Sequence, residues 1–165
     1  MHTDPRVPTK PPGGVKSMLL GDGDNKRLGE IGELAFILKA TSLGITASRP
    51  FGDRRPYDFV VEYGPSLLRI QVKSVFSRKK RDAAYQVVTS HHGRKGRATY
   101  TAEQIDFIAA YIVPRNLWYV IPVEALAGRK VVRVYPCGKT KKPGGLFEIY
   151  REAWDLLKRP AEKSP

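Results

Sequence analysis

The sequence has one cysteine, Cys137, in 165 residues, so no internal disulfide can form and a reducing compartment is expected. No apolar run approaches the roughly 20 residues that cross a bilayer. The opening stretch MHTDPRVPTKPPGGVKS is polar and rich in proline and glycine, without the apolar core of a signal peptide. A cytoplasmic protein is the expectation, with residues 1–23 as a flexible basic arm. Acidic residues are scarce too: 16 Asp and Glu stand against 29 Lys and Arg, for a formal net charge of +13. Such a surplus attracts a polyanion, and nucleic acid or an acidic membrane surface are the usual candidates. Walker loops, dinucleotide glycine fingerprints and Ser-His-Asp arrangements are missing, which argues against the enzyme classes that need them.

What the chain does have is a respectable apolar content, 41% of residues, enough for one domain over residues 24–160 followed by a disordered tail at 161–165. DNKRLGEIGELAFILKATS reads as a helix capped by Asp24 and closed by Gly44, with Leu28, Ile31, Leu34, Ala35 and Leu38 on one face. ITASRP is a short strand. AAYQVVTS, FIAAYIV, LWYVIP and VVRVYP are strands by their β-branched and aromatic content. HHGRKGRATY reads as a glycine-rich basic loop, TAEQID and VEALAG as short helices, and FEIYREAWDLLKR as a terminal helix. The order predicts an α/β or α+β domain with the first helix covering one sheet face.

The informative stretch is RPYDFVVEYGPSLLRIQVKS, two apolar runs around Gly64-Pro65. Period-two alternation puts Asp58, Val60 and Glu62 on one face of the first strand, and Arg69, Gln71 and Lys73 on one face of the second. An even loop centred between Gly64 and Pro65 sets Asp58 opposite Gln71, so the polar groups converge on one face and the apolar sets pack on the other. A carboxylate, a carboxamide oxygen and an ammonium in close quarters suit a hard divalent cation and a phosphate. A third oxygen ligand would come from elsewhere, and Glu30 and Glu33, on the first helix, are the candidates. Asp53 is a further acidic group nearby in sequence.

GEIGE on a helix, followed by PYD and QVK across a hairpin, resembles the PD-(D/E)xK nuclease superfamily. Within it the chain is most similar to small Holliday-junction-resolvase-like nucleases and to homing endonucleases encoded in group I introns. The resemblance runs from about Lys26 to Glu124. It implies an α/β core of the restriction-endonuclease kind, a mixed central sheet flanked by helices. It also implies a metal-dependent DNA endonuclease leaving 5′-phosphate and 3′-hydroxyl ends. Carried over, Glu33 is the helix carboxylate, Asp58 the central metal ligand, Gln71 stands where the superfamily usually has Asp or Glu, and Lys73 is the catalytic lysine. The implied cofactor is Mg²⁺, with Mn²⁺ as an alternative, and the implied assembly is a homo-oligomer on duplex or branched DNA. Gln71 lowers the charge of the site, so a catalytically inactive DNA-binding module of the same fold is the competing reading.

Three basic runs supply the expected phosphate contacts: Arg78, Lys79, Lys80 and Arg81; His92, Arg94, Lys95 and Arg97; Lys139, Lys141 and Lys142. Tyr85, Tyr100 and Trp118 offer rings for base stacking, but their strand positions favour the core. Cys137 has no catalytic partner in sequence and is expected to be a packed thiol.

Overall fold

The computed structural model describes residues 25–52, 54–78, 84–136 and 143–158. The N-terminal arm, Asp24, Asp53, Cys137, the C-terminal tail and six of the basic candidates (Lys79, Lys80, Arg81, Lys139, Lys141 and Lys142) lie outside them.

Helix α1 spans Asn25–Ser42. Gly44, at φ +72°, ends it. The Ile45 amide donates back to the Ala40 carbonyl at 2.9 Å, which closes the last turn on an apolar contact. The buried line is Leu28, Gly32, Phe36 and Ala40, not the expected one through Leu34 and Leu38, which are 68% and 74% exposed. The cause is Gly32, which adds nothing to an apolar count yet marks the line of closest approach. A Cβ there would fall 1.8 Å from Ser74 Oγ and 3.1 Å from Ser74 Cβ.

A five-stranded mixed sheet follows in the order β1-β2-β3-β7-β8, built from β1 (Thr46–Ser48), β2 (Phe59–Tyr63), β3 (Ser66–Val75), β7 (Phe107–Ile112) and β8 (Leu117–Pro122). Strand β3 pairs with β7 in parallel and the other neighbours are antiparallel. The α/β class expected from sequence is the one observed, with a single α-helix and several short 3-10 segments among the described residues. Between β3 and β7 the crossover carries β4 (Tyr85–Val88), β5 (Ser90–Gly93) and β6 (Gly96–Thr99). Strand β4 pairs with β9 (Val131–Val134), and β5 pairs with β6.

The sheet is apolar on both faces. On one, Ile70 and Val72 meet Phe36 and Trp118, with the Phe36 and Phe59 rings stacked at 5.1 Å. On the other, Ile108, Ala110 and Ile112 pack with Tyr85, Tyr100 and Val132. Tyr85, Tyr100 and Trp118 are all buried, so base stacking in the resting fold is excluded for them.

Three expectations need correction. HHGRKGR is not a loop but the β5–β6 hairpin, in which His91 pairs with Ala98 and His92 with Arg97. TAEQID is a turn rather than a helix, because Arg69 takes the Ala102 and Glu103 carbonyls as acceptors. The terminal helix is two 3-10 segments, Pro143–Tyr150 and Trp154–Lys158. Glu152 breaks it: at φ +49° it donates its amide to the Trp118 carbonyl and accepts the Trp118 amide, both at 2.8 Å. Its other carboxylate oxygen takes the Trp154 indole N–H at 2.9 Å. These bonds hold the C-terminal segment to β8, where a continuous helix would not reach.

Candidate active site

The β2–β3 hairpin turns at Gly64-Pro65, with Tyr63 opposite Ser66 and Phe59 opposite Ile70. Asp58 is the residue just before β2, and its amide donates to the Ile70 carbonyl at 2.9 Å. Pairing with β2 therefore stops at Ile70, while β3 runs on to Val75 beside β7. The sheet forks here. Asp58 closes the fork by accepting the Val72 amide at 2.7 Å on Oδ2. The same oxygen accepts Gln71 Nε2 at 2.5 Å.

The helix supplies the rest. Because Gly32 lets the α1 backbone approach Ser74, the next residue, Glu33, lines the same cleft as Asp58, Gln71, Lys73 and Ser74. This cleft measures about 320 Å³. A second of about 400 Å³ shares Leu28, Lys73, Ser74 and Phe76 with it and continues to Arg78 and Gln86. All four expected site residues are thus brought together, and Arg78 stands at the far end of the groove. Glu30 is exposed on α1 and lines neither cleft. Glu62 sits towards the opposite end of the hairpin, across from Leu67.

The electrostatics of the cluster are strained. Burial, and secondarily the Glu33 carboxylate, push Asp58 up to about 6 from 3.8, against the opposing pull of the Val72 amide, Lys73 and Arg49. Burial likewise lowers Lys73, with Asp58 pulling the other way. Arg49 was not singled out by its sequence setting in ITASRP. It bonds Glu33 Oε2 at 2.7 Å and so steadies the helix carboxylate at the edge of the cleft.

Arg69 shares the Asp58 face by alternation but serves a different purpose. It holds Asp106 through Nε and Nη2, each at 2.9 Å, and through its amide at 2.7 Å. The basic hairpin presents His92, Arg94, Lys95 and Arg97 exposed, rooted at Tyr100 beside Lys73.

Among the described residues no group of three or more His, Cys, Asp and Glu side chains is assembled. The centre offers two carboxylates and one carboxamide. Hard oxygen donors of this kind fit Mg²⁺, which keeps several waters and needs few protein ligands. The raised Asp58 fits as well, because a buried carboxylate without a full counter-charge is what a cation would relieve.

The profile of the PD-(D/E)XK endonuclease family matches residues 23–152, and the chain belongs to that family. Its fold resembles that of a bacterial homing endonuclease, I-Ssp6803I. The two share 32% sequence identity at a TM-score of 0.70, over 82% of this chain and 94% of the other. A Holliday junction resolvase, Hjc from Archaeoglobus fulgidus, superposes over 81% of this chain and 98% of its own, at 16% identity and a TM-score of 0.49. No curated protein matches the sequence. Enzymes of this family generally use divalent metal ions, and no helix among the described residues is long and apolar enough to cross a membrane.

Proposed function

We propose that the protein is a metal-dependent DNA endonuclease that hydrolyses phosphodiester bonds to 5′-phosphate and 3′-hydroxyl ends. The observation that carries this reading is the fork between β2 and β3, where Asp58, Gln71, Lys73 and Glu33 line one cleft. Mg²⁺ or Mn²⁺ would be held by Asp58 and Glu33 through carboxylate oxygens and by Gln71 through its carboxamide oxygen. When bound, the cation supplies Lewis acidity at the scissile phosphate and a more acidic water. Lys73 would orient the attacking water and offset charge that builds on the phosphate. The groove leading to Arg78 and the basic hairpin of His92, Arg94, Lys95 and Arg97 follow the phosphate backbone. Lys79, Lys80, Arg81, Lys139, Lys141 and Lys142 are assigned to phosphate contacts in the same reading. Residues 24–160 act as one nuclease domain, with residues 1–23 as a basic arm and 161–165 as a tail.

Cutting both strands of a duplex calls for two such sites, and the reading includes a homo-oligomer. Leu34, Ile37 and Leu38 stand exposed at helical spacing on α1, an apolar stripe that a second copy would cover. Sedimentation of Leu34→Glu should show the assembly falling apart, and an unchanged sedimentation coefficient would remove α1 from the interface.

One observation favours a second reading, a nuclease-fold DNA-binding module without catalysis: Gln71 replaces an acidic ligand and Asp58 spends Oδ2 on it. Supercoiled plasmid, a four-way junction and linear duplex, each with Mg²⁺, Mn²⁺ or EDTA, decide between them. The endonuclease reading expects metal-dependent cutting that falls by about 10³-fold or more in Asp58→Ala and Lys73→Ala. Cutting by neither wild type nor variants, with unchanged DNA affinity, would favour the module over an endonuclease that acts on these substrates.

A further inference from the structure

Lys73 is a flexible four-carbon stem ending in a point charge, and its interactions among the described residues are few. Asp58 supplies an attractive field. The other partner is an aromatic face: the Lys73 Nζ lies 5.5 Å from the centroid of the Tyr100 ring, within cation–π range. Tyr100 is only 8% exposed, so the core holds its ring in place and the lysine does not have to. The His91 ring is a further neighbour of Tyr100, with centroids 4.9 Å apart. The two rings are tilted by 42°; His91 Nδ1 faces the His92 carbonyl at 3.4 Å, and its Nε2 is buried with no hydrogen-bond partner. Burial, and then Asp58, push the Tyr100 hydroxyl up to about 12, so it stays neutral at the site and adds no second counter-charge.

We propose that Tyr100 is a positioning residue for Lys73, its ring face, in contact with His91, fixing where the ammonium sits beside Asp58. The inference rests on the reading of Lys73 as the catalytic lysine and adds a residue to it. A misplacement of about 1 Å at a reacting group is enough to cost a large factor in rate. Tyr100 follows β6 directly and His91 lies on β5, so the support comes from the strands that also carry Arg94 and Lys95 at their tip. The DNA-facing hairpin and the lysine would then be set by the same two strands.

The test is single-turnover cleavage by wild type, Tyr100→Phe, Tyr100→Leu and a variant with pentafluorophenylalanine at position 100. The two natural variants are also made with Lys73→Ala. Duplex affinity in EDTA and the thermal midpoint are measured for each. Tyr100→Phe should keep its rate within about twofold, since the ring face remains, whereas Tyr100→Leu should lose on the order of tenfold with duplex affinity unchanged. Pentafluorophenylalanine keeps the shape and reverses the ring's charge distribution, so it should lose rate even if Tyr100→Leu does not fold. In the Lys73→Ala background the Tyr100→Leu change should cost nothing further. Wild-type rates in the leucine and fluorinated variants would overturn the proposal. So would an equal loss with or without Lys73, or a Tyr100→Phe loss as large as that of Tyr100→Leu. If wild type does not cut at all, it is the endonuclease reading that fails. The ring contact is then judged by the double-mutant cycle in thermal stability, where additive Tyr100→Leu and Lys73→Ala effects would refute it.

Discussion

Strand β3 carries two polar clusters on one face, two residues apart, and they are built on opposite terms. Around Arg69 every charge is answered. The guanidinium reaches both Asp106 oxygens and the Ala102 and Glu103 carbonyls, and the Asp106 amide returns a bond to the Arg69 carbonyl at 2.9 Å. Around Gln71 the reverse holds. Asp58 has an amide, a carboxamide, a second carboxylate and the Lys73 ammonium for company, and burial still pushes it up to about 6. The first cluster ties the turn at 101–106 to the sheet. The second gives up stability, and a buried charge left short of partners is a mark of a place kept for a ligand. Two residues of sequence separate structure from function.

The comparison can be broken at either end. Arg69→Ala should have the largest effect on stability, a loss of about 3 kcal/mol in denaturant unfolding, because several charge-assisted bonds vanish together and Asp106 keeps a partly buried charge. If the cluster is only structural, cleavage per folded molecule should stay near wild type; a large loss of rate with stability intact would move Arg69 into the site.

Asp58→Asn should do the opposite, raising the stability of the metal-free protein while ending cleavage. The folded value of Asp58 lies above its unfolded one, so the folded state holds the proton more tightly. Its contribution is therefore full below about pH 4, falls as pH rises towards 6, and levels off above that as a fixed penalty. The gain in Asp58→Asn should appear at pH 7 and be absent at pH 4. Equal gains at both would show that the carboxylate is not strained.

Gly32→Ala should have a smaller effect, about 1 kcal/mol, since Ser74 Oγ can rotate away but Ser74 Cβ, 3.1 Å from the new methyl, must give. Its use is to move Glu33 relative to Asp58 without substituting a residue of either cluster. Ser74→Ala in the same chain should restore part of the loss; no restoration would mean that the helix is set by other contacts.

Much of the candidate site at the fork was readable because its signals are local. Gly64-Pro65 fixes an even turn, and alternation from that turn places Asp58 opposite Gln71. The sequence offered Glu30 and Glu33 alike, and only the family resemblance singled out Glu33, since its place depends on Gly32 meeting Ser74 across elements. The misreadings have the same origin. TAEQID has the caps of a helix, but Arg69, about 30 residues away, claims the carbonyls a helix would use. In the basic hairpin, glycines and charges hide the alternation, and only pairing such as Ser90 with Thr99 reveals strands. FEIYREAWDLLKR has helical periodicity until Glu152 bonds β8. Lys73 was legible, whereas its Tyr100 floor was not, because the ring arrives from a hairpin that read as a loop.

The most direct test of the central claim, that the fork holds a strained carboxylate for a cation, is a carbon-detected NMR titration of the Asp58 carboxyl with and without Mg²⁺. The account predicts a midpoint near pH 6 in the metal-free protein, and a fall towards or below the ordinary aspartate range of about 4 as Mg²⁺ is added. A midpoint near 4 without metal, or one near 6 that Mg²⁺ does not move, would contradict it.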